Sequence, residues 1–283
     1  FRALLDDPFL WALRALLGLQ ETEYEARELD PGSFGTLAHE VLERFAGEPE
    51  AGSRDGDEIR SCLSRILDGA VRNRFGHWPL PIVLLQVEQL RTRLESFAQW
   101  QAHRRREGWV VHAAEARTPR GGVPFDVDGE PVFLSGRVDR VDRNLETGDW
   151  MLLDYKTGDG GIRMSSVRTP SGGWRDLQLP LYHVLLPGLQ GRDGAPLGTP
   201  PPGGTIDLAY LPLPKDPGPV EVVVAPWGPG DLASAQETAR EVIRSLRREG
   251  GASFVPGRSG RGVRGDLAVF LGRGLLRDSG ADT

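Results

Sequence analysis

The sequence predicts an α/β fold in which an N-terminal helical portion precedes a mixed central β-sheet flanked by further helices. Apolar residues recur at helical spacing through most of residues 1–108. From residue 109 onward the pattern changes to the alternation that is typical of strands, with turn residues between the runs. Helices that come first, followed by strands with helices packed on them, are typical of α/β or α+β domains.

The individual elements follow from these periodicities. Helices are predicted over 1–17, 33–45, 57–75, 82–106, 174–186 and 229–249, and strands over 109–117, 130–143, 149–156, 205–213 and 219–225. We interpret 1–249 as one domain, with a helical portion at 1–108 and a sheet core at 109–249. The Gly- and Arg-rich tail at 250–283 is predicted to be loop or disordered, and its arginines are candidates for contacts with DNA phosphates.

Composition narrows the functional classes. The 283 residues carry a net charge of −6, which argues against a general nucleic-acid-binding surface. Any nucleic-acid-binding role would need local basic patches. A single cysteine, Cys62, excludes an internal disulfide, a cysteine-built zinc site and a four-cysteine cluster, so a cytoplasmic protein is expected. There is no apolar run of membrane-spanning length and no signal peptide, so no membrane association is expected.

Residues 136–156, "GRVDRVDRNLETGDWMLLDYK", are predicted to form a β-hairpin whose loop centres on Glu146 and Thr147. In that register Val141 faces Leu152, and two steps further Asp139 faces Asp154. The D-x-K spacing also places Lys156 on the face that carries Asp154, because strand side chains alternate. Arg137 is the predicted partner of Lys156. One face therefore carries two adjacent carboxylates beside a lysine.

Opposed carboxylates repel, and a bridging divalent cation, a shared proton or a nearby base relieves the repulsion. Of the 34 basic residues only Lys156 and Lys215 are lysines, so the lysine at position 156 stands out. Its ammonium is a compact point charge that can orient a water molecule, whereas arginine presents a planar fork. The pattern favours a magnesium- or manganese-type site beside a water nucleophile; the alternative is an ordinary surface ion pair.

With these residues in view, the sequence resembles the RecB-like branch of the PD-(D/E)XK nuclease superfamily. That branch carries, in order, G-x-x-x-H, G-x-x-D-R-x-D, D-Y-K-T-G and Q-L-x-x-Y. The matching segments here are "GTLAH" (35–39), "GRVDRVD" (136–142), "DYKTG" (154–158) and "QLPLY" (178–182). The flanking segments resemble the nuclease domain of AddB-type helicase–nuclease subunits. Many of those domains hold an iron–sulfur cluster, which a chain with one cysteine cannot bind.

The resemblance implies roles for particular residues. It makes His39, Asp139 and Asp154 metal ligands, together with the backbone carbonyl of Tyr155, and it gives Lys156 the task of positioning or deprotonating the attacking water. It also implies that two residues one turn apart on a helix, Gln178 and Tyr182, support the site or touch the DNA backbone. The alternatives are a core-edge histidine at position 39 and plain packing at positions 178 and 182. Glu115, on a neighbouring strand, is expected to be structural.

The resemblance implies a nuclease fold and Mg²⁺- or Mn²⁺-dependent hydrolysis of DNA phosphodiesters. The expected action is of exonuclease type, on single-stranded or unwound DNA, in repair or recombination and in association with a helicase domain or subunit. Two alternatives stay open at this point. The first is a nuclease fold that binds DNA or a helicase without cutting, and the second is a nuclease that acts on RNA or branched DNA.

Overall fold

The computed structural model describes residues 28–158, 164–169, 171–216 and 218–249. The chain divides into two compact units, Arg27–Arg240 and Phe1–Ala26 together with Glu241–Thr283, and the central sheet belongs to the first of these. The predicted helix at 1–17 and the predicted tail at 250–283 lie outside the described residues, so the boundaries of the predicted 1–249 domain stay a prediction. Within the described residues, no helix combines the length and apolarity that a bilayer crossing needs.

The elements appear in the predicted order. The helices are α1 (Pro31–Ala46), α2 (Gly56–Phe75), α3 (Pro81–Arg106), α4 (Gln178–Leu185) and α5 (Pro229–Glu249). The strands are β1 (Trp109–Arg117), β2 (Val123–Val127), β3 (Glu130–Leu134), β4 (Arg137–Asn144), β5 (Trp150–Lys156), β6 (Ile206–Pro212) and β7 (Val223–Val224).

Five strands form one mixed sheet in the order β1-β4-β5-β6-β7, and β2 pairs with β3 in a separate hairpin. The contacts of β4 with β1 and with β5 are antiparallel, whereas β5 and β6 run parallel. The predicted α/β class, with a mixed central sheet and flanking helices, is therefore confirmed.

The main core lies between the three N-terminal helices and one face of the sheet. Buried residues of α1, α2 and α3 pack against alternate residues of β5 and β6, namely Met151, Leu153, Tyr155, Ala209 and Leu211. Helix α4 contacts the opposite side of β5, where Asp154 lies. Strand β5 is consequently buried on both faces. A charged side chain in such a strand needs hydrogen-bond or ion-pair partners, and these partners fix its position.

Two local signals fix the elements that carry the site. Asp30 caps α1, since its carboxylate accepts the backbone amides of Gly32 and Ser33, and Pro31 supplies the fixed φ suited to a first helical turn. In the β4–β5 turn the Asn144 side chain accepts the Glu146 amide at 2.8 Å, which sets where the chain reverses.

Three predicted boundaries need correction. The predicted strand 130–143 is two strands, because the chain breaks at Gly136, whose amide donates to Thr118 Oγ1 beyond the end of β1. The predicted helix 174–186 begins only at Gln178, since Asp176 accepts the Gln178 amide at 2.9 Å and ends the preceding turn. Strand β2 was not predicted, and of the predicted strand 219–225 only Val223–Val224 pairs.

Candidate active site

The β4–β5 hairpin has the predicted register. Val141 pairs with Leu152 and Arg140 with Leu153. The ladder stops there, and the next two residues in the same register are Asp139 and Asp154. In place of a further backbone bond, Asp139 Oδ2 accepts the backbone amide of Tyr155 at 3.0 Å. Both carboxylates are buried, with 5% and 1% of the residue exposed.

A β-bulge in β1 adds a third carboxylate. Val111 pairs with Asp142, but Ala113 pairs with Val141, so His112 is an extra residue in the ladder. A one-residue shift reverses the face to which every following side chain points. Because of this shift, Glu115 lies opposite Asp139, whereas a regular strand would place Ala114 there. Glu115 also has a φ of 52°, a left-handed conformation that is uncommon and costly outside glycine.

Helix α1 brings a histidine to these acids. His39 Nδ1 lies 3.6 Å from Asp139 Oδ1 and 4.0 Å from Glu115 Oε1. One ligand-type atom from each of the three residues lies within 4.8 Å of the others. The imidazole packs edge-on against the Tyr155 ring, with 5.5 Å between ring centroids, which restricts its orientation. The structure thus joins α1, β1 and β4 in one donor cluster.

Asp154 has its own set of partners. Its Oδ1 accepts hydrogen bonds from Gln178 Nε2 at 2.6 Å and from the Tyr182 hydroxyl at 3.0 Å. Its Oδ2 lies 2.5 Å from Lys156 Nζ, an ion pair whose angle does not suit a hydrogen bond. The lysine ammonium also lies 5.1 Å from the centre of the Tyr210 ring. The residues predicted for the site from α4 and β5 therefore meet at one carboxylate.

The acids are held in an environment that disfavours their charge. Burial, and then the charge of Asp154, raise the pKa of Asp139. Burial raises the pKa of Glu115 to about 7, although the neighbouring Arg137 guanidinium, 2.7 Å away, opposes the shift. Burial also raises the pKa of the Tyr182 hydroxyl well above its usual value, so it donates to Asp154 as a neutral phenol.

This donor set fits a hard divalent cation. The carboxylate oxygens that dominate the set suit magnesium and manganese, the single imidazole nitrogen is a ligand more typical of transition-metal ions, and the described residues place no thiolate among them. Two buried carboxylate oxygens, Glu115 Oε2 and Asp154 Oδ2, form ion pairs with Arg137 and Lys156 but accept no hydrogen bond from any described residue. Cys62, the one cysteine, is buried in α2 apart from this cluster.

The structure brings together the side chains of His39, Asp139, Asp154, Lys156, Gln178 and Tyr182. The predicted use of the Tyr155 carbonyl as a ligand stays a prediction, although its amide is held by Asp139. Sequence reasoning underestimated Glu115, which was expected to be structural and lies within the cluster. The signal that could have found it is the β1 register, which requires the bulge to be known.

A nuclease superfamily accounts for this fold and this cluster of acids. Residues 1–262 match the PD-(D/E)XK nuclease superfamily, so the chain belongs to that superfamily. A stretch of 170 residues is also 26% identical to a subunit of the ATP-dependent helicase/deoxyribonuclease of Ruminiclostridium cellulolyticum. That stretch covers 53% of this chain but only 14% of the relative. The predicted resemblance to helicase–nuclease subunits is thus confirmed.

Proposed function

We propose that the protein is a metal-dependent deoxyribonuclease that hydrolyses phosphodiester bonds at the cluster formed by His39, Glu115 and Asp139 together with Asp154 and Lys156. The observation that carries this proposal is the lysine ammonium 2.5 Å from a buried carboxylate, beside a three-residue donor cluster. An ordinary surface ion pair would not be surrounded by three other buried or half-buried ionisable side chains.

His39, Glu115 and Asp139 would hold a magnesium or manganese ion, with Asp154 and the Tyr155 carbonyl as the remaining protein ligands. When bound, such an ion withdraws charge from a phosphate oxygen and lowers the pKa of a coordinated water. The chain itself supplies negative charge that is fixed before substrate arrives, so little rearrangement is needed on binding.

Lys156 would orient the attacking water and stabilise the negative charge that develops during the reaction. The ammonium contacts both the Asp154 carboxylate and the Tyr210 ring. From this position the ammonium can donate hydrogen bonds to a water and to a phosphate oxygen.

Gln178 and Tyr182 would act as positioning residues. Both donate to the same oxygen of Asp154, and Gln178 also donates to the Tyr182 hydroxyl at 3.0 Å. Such a pair fixes the rotamer of the carboxylate and leaves its second oxygen directed at Lys156. Direct contact of these residues with the DNA backbone is the other role that the resemblance implied.

The relative's name, which joins a helicase to a deoxyribonuclease, supports DNA as the substrate and a helicase domain or subunit as the partner. A nuclease that works beside a helicase meets unwound, single-stranded ends, so we propose exonuclease-type action in DNA repair or recombination. A chain with one cysteine suits a reducing compartment, and we propose the cytoplasm.

The test is cleavage of end-labelled linear and circular DNA, single- and double-stranded, with magnesium, manganese or chelator. We expect metal-dependent cleavage of linear single strands, with circular strands resistant. Lys156→Ala should abolish it, whereas Lys215→Ala, at the other lysine of the chain, should not. A wild-type protein inert on every DNA and RNA would refute the proposal, and cleavage of circles would refute the exonuclease assignment alone.

A further inference from the structure

A row of basic residues lies directly beside the acidic row of the site. The acidic row crosses three adjacent strands and consists of Glu115 on β1, Asp139 on β4 and Asp154 on β5. Two positions nearer one common end of these three strands, each strand carries a basic residue. These residues are Arg117 on β1, Arg137 on β4 and Lys156 on β5. Residues two apart on a strand share a face. Arg117 and Arg137 are also direct cross-strand partners.

The pairing of Arg117 with Arg137 is unfavourable in the protein alone. Like charges directly opposite each other on a sheet destabilise it. Arg137 is partly compensated, since its Nε lies 2.7 Å from Glu115 Oε2. Arg117 is exposed, and its charge opposes the rise in the pKa of Glu115, but its guanidinium makes no hydrogen bond or ion pair with any residue in the described ranges. In a protein of net charge −6, two adjacent arginines beside an acidic site form a distinct local basic patch.

We propose that Arg117 and Arg137 bind successive phosphates of one DNA strand, whose backbone crosses β1 and β4 toward Lys156. This inference rests on the proposed function and adds the path of the substrate across the sheet. Guanidinium forks match phosphate oxygens in a bidentate geometry, whereas the lysine at the end of the row acts as a point charge. A phosphate bound to the arginines relieves their mutual repulsion and brings the next phosphate to the acidic row.

The β1 bulge is what builds this row. The extra residue His112 shifts both Glu115 and Arg117 to the face of Asp139 and Arg137. In a regular β1 strand without the bulge, Glu115 and Arg117 would lie on the other face of the sheet. One backbone irregularity thus completes both the donor cluster and the phosphate path.

The experiment measures binding of a fluorescent single-stranded oligonucleotide over a range of salt concentrations, in chelator so that no strand is cut. Arg117→Gln and Arg137→Gln should each weaken binding and lower the slope of log K against log salt by about 0.7, the value for one lost phosphate contact on a single strand. Arg137→Lys, which keeps the charge, should retain the slope.

The matched control is Arg143→Gln. Arg143 is exposed on the same strand and the same face, six residues from Arg137 and about 20 Å away. It should leave the slope unchanged. Equal slopes for Arg117→Gln, Arg137→Gln and wild type would overturn the phosphate row, as would an equal drop in the Arg143→Gln control.

A parallel cleavage assay distinguishes a failure of this inference from a failure of the proposed nuclease function. If the wild type cuts DNA while the arginine variants bind with wild-type slopes, the path is wrong and the nuclease proposal stands. If the wild type neither binds nor cuts DNA, both are refuted.

Discussion

Replacing Glu115 by glutamine removes one negative charge from the donor cluster while keeping the size of the side chain. The residue keeps the same demand for a left-handed backbone, because glutamine is no better suited than glutamate to a φ of 52°. Any change in stability therefore reports on charge. The carboxylate is 7% exposed, and Asp139 and Glu43 add to the effect of burial in raising its pKa to about 7.

The sign of the effect follows from linkage. A carboxyl group with a pKa of about 7 in the folded protein and about 4.5 in the unfolded chain binds more protons when folded between those values. Stability is therefore lost as the pH rises from about 4.5 through about 7. The difference corresponds to about 3 kcal/mol without screening, and we discount it to about 1–2 kcal/mol for the solvent that reaches the site.

In chelator, Glu115→Gln and wild type should accordingly melt at similar temperatures at pH 5, and the variant should melt about 2–8 °C higher at pH 8. With manganese the order should reverse, since an ion at a hundredfold excess over Kd stabilises the folded wild type by about 2.7 kcal/mol. The assay is a thermal melt at both pH values with chelator, manganese or sodium at matched ionic strength. Glu95→Gln, at an exposed position on α3, is the control and should follow the wild type.

The refuting result is a variant that melts with the wild type at pH 8 in chelator and shows the full manganese shift. The charge of Glu115 would then not destabilise the folded protein, and Glu115 would not be a ligand of the manganese ion. A shift that sodium reproduces would show screening and not a site, because screening acts without specific binding.

Three further outcomes are expected. His39→Ala should reduce the manganese-induced melting shift by half or more, and a full shift would remove the imidazole from the ligand set. Tyr182→Phe should lower the free energy of unfolding in urea by about 1 kcal/mol and slow single-turnover cleavage without abolishing it, since one of two donors to the hairpin carboxylate remains; unchanged cleavage would make the hydroxyl purely structural. Gly136→Ala should cost about 1–3 kcal/mol in the same urea assay, because its Cβ would lie 2.4 Å from a leucine methyl of α4. Gly69→Ala, with no atom within 4 Å of the new Cβ, should instead stabilise α2 by about 1 kcal/mol; equal effects of the two would contradict the packing argument.

The hairpin could be predicted because its determinants are local. The loop between Asn144 and Asp149 fixes the register, and the alternation of β4 and β5 then decides which residues share a face. Gln178 and Tyr182 could likewise be placed on one helix face from their spacing of four. That both would reach Asp154 depends on how α4 packs on the sheet, which no local pattern specifies.

The position of Glu115 could not be predicted, because it depends on one extra residue in an edge strand. A regular β1 would place Ala114 opposite Asp139. Alternation alone therefore assigns Glu115 to the wrong face, and the segment "WVVHAAEAR" contains no glycine or proline to announce a bulge. The break at Gly136 depends on a similar non-local contact, since its partner Thr118 lies just beyond the end of β1.

Lys156 differs from the acids around it in one respect that bears on the evolution of such proteins. Its side chain is 29% exposed at the end of β5, whereas that of its partner Asp154 is 2% exposed. Losing the lysine removes little packing, whereas losing the aspartate leaves the buried Tyr182 hydroxyl without the acceptor to which it donates. Under the proposed function, a single substitution at position 156 would therefore end cleavage while the fold and the neighbouring arginines remain. The proposed function thus implies that a protein that binds DNA without cutting it differs from this one by one substitution.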